Sequence, residues 1–217
     1  AFYQTGVKME LKAVIEKRVS IRTFTDEPVS VADIKEIIRC AGLAPSINNS
    51  QPWKFIAITN EEIIEKMGKI VQKKVLDYFP HENIKEKMMA QAKVLRFSSF
   101  FMDAPVLIAV EMSPYQTVIE ELLKGRELSL EDVNRLRNYP NIQSIGAAVE
   151  NLILSAFDLG YGACWLSGLL VARNELEALL GITAPNTLAA CVAIGKPREF
   201  ITQRDKKPFE EIFTLID

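Results

Sequence analysis

Three short stretches of this 217-residue chain carry side chains whose types and spacing could do chemistry. In the first, Arg18, Ser20 and Arg22 alternate, so an extended backbone would put two guanidiniums and a hydroxyl on one side. That arrangement suits an anion. A basic helix end that complements the helix dipole would contain the same residues, and this stretch alone leaves both interpretations open.

The second stretch is the loop 44–53, Ala-Pro-Ser-Ile-Asn-Asn-Ser-Gln-Pro-Trp. Pro45 and Pro52 fix φ and remove backbone donors, so the polar side chains between them belong to a shaped loop rather than to a regular element. Such a loop suits a flat heterocycle whose polar edge is bound by amides and hydroxyls. Its residues are also ordinary turn formers, so the loop needs support from elsewhere in the chain.

The third stretch is a basic cluster near the end of the chain, which contains Arg204, Lys206 and Lys207 and precedes the apolar residues 212–216. The formal net charge of the whole chain is only −2. We therefore expect neither a nucleic-acid partner nor a membrane surface, and any anion site must be local.

Several standard catalytic arrangements are absent from the sequence. There is no G-x-x-x-x-G-K-[ST] loop, no G-x-G-x-x-G after a strand, no H-E-x-x-H and no G-x-S-x-G. The single histidine, His81, follows Pro80 in a connector, and we assign it no role. We predict no catalytic side chain, which leaves a borrowed cofactor or no catalysis.

The three cysteines are scattered and never form a C-x-x-C pair. This pattern predicts neither a disulfide framework nor a metal site, and it fits a reducing compartment. Because the sequence also has no secretory leader and no apolar run of membrane-spanning length, we expect a cytoplasmic protein. We treat 1–217 as a single domain and interpret residues 1–8 as an N-terminal extension whose origin stays open.

Hydrophobic periodicity predicts helices and strands that alternate irregularly, which favours an α+β fold. Ser30 and Asn60 are predicted to cap helices, and Gly160 to end one. Residues 113–138 are charged and irregular, and are either solvated helices or a lid. Helices are predicted at 11–19, 31–42, 61–78, 82–101, 142–159 and 175–180, and strands at 55–59, 105–111, 161–168 and 188–194.

Four segments, taken together, resemble the nitroreductase family of FMN-dependent oxidoreductases. They occur in the family's order and cover nearly the whole chain. The resemblance implies a three-layer α/β/α sandwich with a mostly antiparallel central sheet, assembled as an intertwined homodimer. The four segments are Arg18-Val19-Ser20-Ile21-Arg22-Thr23-Phe24, the loop 44–53 with its P-S-x-x-N-x-Q-P-W pattern, Leu159-Gly160-Tyr161-Gly162 before Trp165, and Arg204-Asp205-Lys206-Lys207-Pro208.

The resemblance also assigns an FMN site residue by residue. The first basic motif would hold the phosphate, the ribityl chain and the pyrimidine edge, and the late cluster would join it at the phosphate. The loop 44–53 would reach the flavin of the neighbouring subunit, and the strand near Trp165 would lie beside the isoalloxazine with its amides facing N5. The implied contacts are Arg18, Val19, Ser20 and Arg22; Arg204 and Lys206; Pro45, Ser46, Ile47 and Asn49; and Trp165, Leu166, Ser167 and Gly168.

The implied activity is transfer of hydride from NADH or NADPH, through flavin N5, to an electron-poor small molecule such as a nitroaromatic or a quinone. One pocket would serve both half-reactions in a ping-pong mechanism, and Arg22 would place positive charge near N1 and O2. Two alternatives remain. One is a specialised relative, namely a dehalogenase, an enone reductase or a flavin-fragmenting enzyme, and the other is a non-catalytic flavin-binding protein. The sequence leaves the natural substrate and the nicotinamide preference open.

Overall fold

The computed structural model describes residues 10–79, 85–114, 129–199 and 201–216. In this part of the chain, 3₁₀ turns at Ile47–Asn49, Phe100–Asp103 and Gly168–Ala172 accompany the regular elements. The helices are α1 (Leu11–Lys17), α2 (Val31–Ala41), α3 (Glu61–Tyr78), α4 (Lys85–Ser99), α5 (Leu130–Leu136), α6 (Pro140–Asp158), α7 (Arg173–Leu180) and α8 (Phe209–Ile212). The strands are β1 (Trp53–Ile58), β2 (Val106–Met112), β3 (Gly162–Leu166) and β4 (Thr187–Gly195).

The predicted helix caps are confirmed. The Ser30 hydroxyl accepts from the amide of Asp33 at 3.0 Å, and the Asn60 side chain accepts from the amide of Ile63 at 3.1 Å. Both contacts satisfy backbone donors that have no partner within the helix. Gly160, just past the end of α6, has a φ of 82°, the left-handed conformation expected of a glycine in this position.

The four strands form one antiparallel sheet in the order β1-β2-β4-β3. Because helices cover both faces of the sheet, the sequences of its central strands β2 and β4 are almost continuously apolar. The sheet confirms the predicted α+β class with a mostly antiparallel sheet.

Successive residues of β2 face two different cores. Leu107 and Ala109 pack with residues of α3 and α7 on one side of the sheet, whereas Ile108 and Val110 pack with residues of α2 and α6 on the other. Helices therefore cover both faces of the sheet, which is the predicted three-layer α/β/α arrangement. In the described part of the chain, no helix is both long and apolar enough to cross a bilayer.

The structure differs from several predicted boundaries, and three of these differences have a clear physical reason. Val19 lies beyond α1, because the chain becomes extended at Arg18 and the amide of Ile21 then bonds to the carbonyl of Ala163 at 3.0 Å. The strand predicted over 161–168 stops at Leu166, where a 3₁₀ turn follows. Helix α6 starts at Pro140 rather than at 142, since proline suits a first helical turn.

Part of the region 113–138 is regular. Helix α5 begins with a reciprocal capping box, in which the side chains of Ser129 and Asp132 each bond to the other residue's amide. This helix agrees with the predicted alternative of solvated helices, although its capping box was not predicted. The predictions for residues 1–8, for His81 and for the part of 113–138 before residue 129, except 113 and 114, fall outside the described residues.

Candidate functional site

The first basic motif lies along the outer edge of the sheet. Ser20 forms a parallel bridge with Ala163 of β3. The close approach requires glycine at position 162, because a Cβ there would lie 2.6 Å from the Cβ of Ile21. The extended segment 18–24 is therefore held against β3 by backbone pairing and by this contact.

Arg18, Ser20 and Arg22 all lie near enough to Cys164 of β3 to influence its thiol. Burial raises the pKa of the Cys164 thiol, while the positive charges of Arg22 and Arg18 and hydrogen bonding from Ser20 and Arg22 act in the opposite direction. The alternating spacing thus places the three side chains together, as predicted. Because its raised pKa keeps Cys164 protonated, it is no candidate nucleophile.

The late basic cluster lies beside the first one. The side-chain amide of Gln203, next to Arg204, donates to the carbonyl of Arg18 at 3.4 Å. Within the described residues, none of the guanidinium and ammonium groups of Arg18, Arg22, Arg204 and Lys206 forms an ion pair. Among the described residues these four cations therefore make no direct ion pair, which leaves them available to an anionic ligand.

A groove of about 400 Å³ opens next to Arg22. This volume falls within the usual range for small-molecule sites. Aromatic and polar side chains share its wall, a composition that suits a flat molecule with a polar edge. The remaining lining residues are Thr23, Gln72, Arg96, Phe97, Ser99, Phe100, Met102 and Asp103.

The residues that α3 and α4 contribute to this groove were not predicted from the sequence. Arg96 is one of many charged residues in a long helical stretch, and Gln72 has no motif around it. Gln72 and Arg96 line the groove with Arg22 because α3 packs against α4. Helical periodicity does not predict which helices pack together.

The loop 44–53 has an unusual backbone. Asn48, Asn49 and Gln51 have φ values of 47°, 55° and 46°, which is the left-handed region that non-glycine residues rarely adopt. The Ser46 hydroxyl accepts from the amide of Gln51 at 3.0 Å, and the Gln51 side chain donates to Asn49 Oδ1 at 3.3 Å. The polar side chains thus shape the loop itself, as a turn would require.

This loop lies at the opposite edge of the sheet from the basic motif. It leads into β1, whereas segment 18–24 lies outside β3, and β2 and β4 separate the two strands. The three strand spacings from β1 to β3 amount to roughly 14 Å, and segment 18–24 lies one spacing farther out. Pro45, Ser46, Ile47 and Asn49 therefore belong to a different edge from Arg18, Ser20 and Arg22.

The residues that follow Cys164 differ in exposure. Leu166 is buried, whereas the Trp165 ring is 44% exposed on the α6 side, where a Cβ on Gly146 would lie 3.8 Å from it. Ser167 is exposed, and Gly168 begins the 3₁₀ turn that packs against α4. The 3₁₀ turn that follows β3 is therefore in contact with α4, the helix that contributes residues to the groove.

An antiparallel sheet between two helical layers, with a basic motif fixed to its edge strand, is the architecture that the sequence resemblance predicts for an oxidoreductase. A model of the Nitroreductase family matches residues 15–196. The chain belongs to the nitroreductase family, and the predicted family, fold and oxidoreductase class are confirmed.

Individual relatives cover nearly the whole chain. A BluB-like flavoprotein from Clostridium difficile 630 has a solved structure that is 35% identical, with a TM-score of 0.86 over 96% of this chain and 100% of that one. A candidate NADH dehydrogenase/NAD(P)H nitroreductase of Archaeoglobus fulgidus is 28% identical over 209 residues, 93% of this chain and 90% of its own. The 5,6-dimethylbenzimidazole synthase of Rhodospirillum rubrum is 28% identical over 196 residues, 87% and 82% of the two chains.

Proposed function

We propose that this protein is an FMN-dependent oxidoreductase that takes hydride from NADH or NADPH and reduces an electron-poor acceptor such as a quinone or a nitroaromatic. The observation that carries the proposal is the position of Gln203, which brings the second basic cluster to Arg18, beside a motif that already converges on β3. Two basic segments from opposite ends of the chain then have one shared purpose, which is to bind an anionic group.

The residues fit FMN. Arg18, Arg204 and Lys206 would bind the phosphate, since they carry positive charge and form no direct ion pair among the described residues. Val19, Ser20 and Arg22 would contact the rest of the cofactor, and Trp165 to Gly168 would lie beside its ring. FMN supplies the redox chemistry when bound, accepting two electrons with a hydride and passing them on.

The protein's contribution is orientation and electrostatics. Arg22 lies near Cys164 and also lines the groove, so its charge favours added negative charge on a bound ring. Phe97 and Phe100 provide apolar surface that limits water around a flat acceptor. Neither a side-chain acid nor a side-chain base is required, because the acceptor takes its protons from water.

We further propose a homodimer in which the loop 44–53 of one subunit completes the flavin site of the other. The separation of this loop from the basic motif across the sheet supports a shared site. The segment 201–216 also supports a dimer, because all of its residues are exposed although many are apolar. Its Phe209 and Phe213 rings stack with centroids 5.0 Å apart, which makes one apolar surface for a second copy to cover.

A second candidate function is a specialised activity on the same scaffold, with fragmentation of the flavin as the leading case. The similarity to the BluB-like flavoprotein and to the dimethylbenzimidazole synthase favours it. The two candidates differ in what happens to FMN, because a reductase regenerates its cofactor and a fragmenting enzyme consumes it.

Steady-state kinetics test this proposal. With NADH or NADPH and a quinone varied against each other, a reductase gives parallel double-reciprocal lines and leaves FMN intact, because donor and acceptor use one pocket in turn. Loss of FMN in aerobic turnover, with a new benzimidazole product, would favour the second candidate. A protein that binds FMN but turns over none of these substrates would contradict both.

A further inference from the structure

Backbone strain in the described chain is confined to two short segments. The non-glycine residues with positive φ are Asn48, Asn49 and Gln51 in the loop before β1, and Asn138 and Tyr139 just before α6. Asparagine tolerates this conformation comparatively well, whereas Gln51 and Tyr139 lack its short amide and are held there by their surroundings. Strain of this kind persists where neighbouring structure enforces it, and it often marks a functional segment.

Ser144, in the first turns of α6, joins the two strained segments. Its hydroxyl is buried, accepts from the amide of Ile47 at 3.2 Å and donates to the carbonyl of Pro140 at 2.9 Å. Ile47 belongs to the strained loop, and Pro140 directly follows the strained residue Tyr139. One hydroxyl therefore fixes the loop to the start of the helix.

The same junction contains the buried side-chain oxygens that lack a hydrogen-bond partner among the described residues. They are Ser50 Oγ in the loop and Asn141 Oδ1 in the first turn of α6. Unpaired buried polar atoms are costly and uncommon in native proteins. Their presence beside the strained loop indicates that the loop is held in a conformation which its own contacts do not optimise.

We propose that Ser144 is a positioning residue that holds the loop 46–51 in the conformation needed to present Ser46 and Asn49 to the flavin. This inference rests on the proposed function, because it assumes that the loop contacts FMN. Helix α6, which bears Ser144, is held firmly in place because Ile145 and Val149 lie in the core against the sheet. The hydrogen bond from Ile47 to Ser144 thus fixes the loop, whose conformation is unfavourable by itself, to a buried helix.

The test compares Ser144→Ala with Ser155→Ala, the same change farther along α6 at a partly exposed serine with no side-chain hydrogen bond in the described structure. FMN titration of the dimeric apoprotein should show about three- to tenfold weaker binding for Ser144→Ala, the loss expected for one hydrogen bond, and unchanged binding for Ser155→Ala. Visible circular dichroism of bound flavin should change for Ser144→Ala only.

A third variant separates positioning from general stability. Ser144→Thr keeps a hydroxyl that can still bond to the carbonyl one turn earlier, so it should restore most of the FMN affinity and the dichroism. Ser144→Ala that binds FMN within twofold of wild type, or whose weaker binding follows only from a lowered melting temperature of the apoprotein with unchanged dichroism, would overturn the inference. Wild-type protein that fails to bind FMN would instead contradict the proposed function.

Discussion

The side-chain amide of Gln203 donates a hydrogen bond to the carbonyl of Arg18, although the two residues are 185 positions apart. This contact joins a basic segment near the end of the chain to one near its beginning. Arg18 in turn belongs to the motif that β3 holds in place. The candidate phosphate site is therefore built from both ends of the chain around one edge of the sheet.

Simultaneous replacement of Arg204 and Lys206 by alanine should weaken the binding of FMN at least tenfold and leave riboflavin, which lacks the phosphate, almost unaffected. Each lost charge-assisted contact to a phosphate contributes about 1.5–3 kcal/mol. Isothermal titration of the apoprotein with both ligands measures the difference. Lys207→Ala, in the same exposed run, is the matched control and should bind FMN normally; equal losses for FMN and riboflavin would remove the cluster from the phosphate.

Replacing Arg22 by alanine should leave the fold intact, because this side chain is exposed and its hydrogen bond to the carbonyl of Ser20 is long, at 3.4 Å. FMN binding should weaken, and the midpoint potential of the bound flavin should fall by on the order of 30 mV, which corresponds to about 1.4 kcal/mol for a two-electron couple. Spectroelectrochemistry provides the measurement. Arg39→Ala, which removes an exposed guanidinium from α2, should change neither quantity, and an unaltered potential in Arg22→Ala would exclude Arg22 from the site.

Alanine substitutions at two glycines test whether segment 18–24 packs closely against β3, because Gly162 has no room for a Cβ and Gly146 does. In Gly162→Ala the new Cβ would lie 2.6 Å from the Cβ of Ile21, so segment 18–24 must move and the protein should lose about 1–3 kcal/mol of stability. In Gly146→Ala the nearest contact is an ordinary 3.8 Å to Trp165, and alanine in a helix should gain up to about 1 kcal/mol. Thermal unfolding of the two apoproteins should show opposite shifts, and equal melting temperatures would contradict the close pairing of segment 18–24 with β3.

The exposed aromatic pair formed by Phe209 of α8 and Phe213 just after it should stabilise a dimer. Phe209 and Phe213 are 62% and 52% exposed in one chain, so replacing both by serine costs that chain little. If a second copy buries them, each ring contributes about 1.5–3 kcal/mol and the double variant should dissociate at least tenfold more readily. Sedimentation velocity over a dilution series tests this, with Glu211→Gln as the control in the same helix. A wild-type monomer with full flavin occupancy would contradict the shared site.

Much of the fold could be predicted from the sequence because its signals are local. Ser30 and Asn60 indicate the starts of their helices because they are good capping residues. The nearly continuous apolar runs of β2 and β4 indicate buried strands. The alternation of Arg18, Ser20 and Arg22 likewise predicted that these side chains would lie together. The wrong boundaries, at Val19 and after Leu166, occur where pairing with a distant segment or a tertiary turn decides the conformation.

The groove and the loop junction could not be predicted in the same way. Arg96 reaches Arg22 only through helix packing, and Ser144 bonds to Ile47 across 97 positions of sequence. A serine in an apolar helix normally has no role beyond its own turn, so no sequence pattern distinguishes Ser144. The assignment of individual residues to FMN remains a prediction that comes from the family resemblance and is supported by this geometry.

Anaerobic reduction of the purified holoprotein shows whether bound flavin carries hydride from a nicotinamide to an acceptor. The yellow colour of bound FMN should bleach on addition of one equivalent of NADH or NADPH, and it should return when a quinone is added without oxygen, because the flavin accepts hydride from one substrate and passes the electrons to the other. A yellow protein that neither nicotinamide can bleach, although dithionite reduces it, would contradict the account.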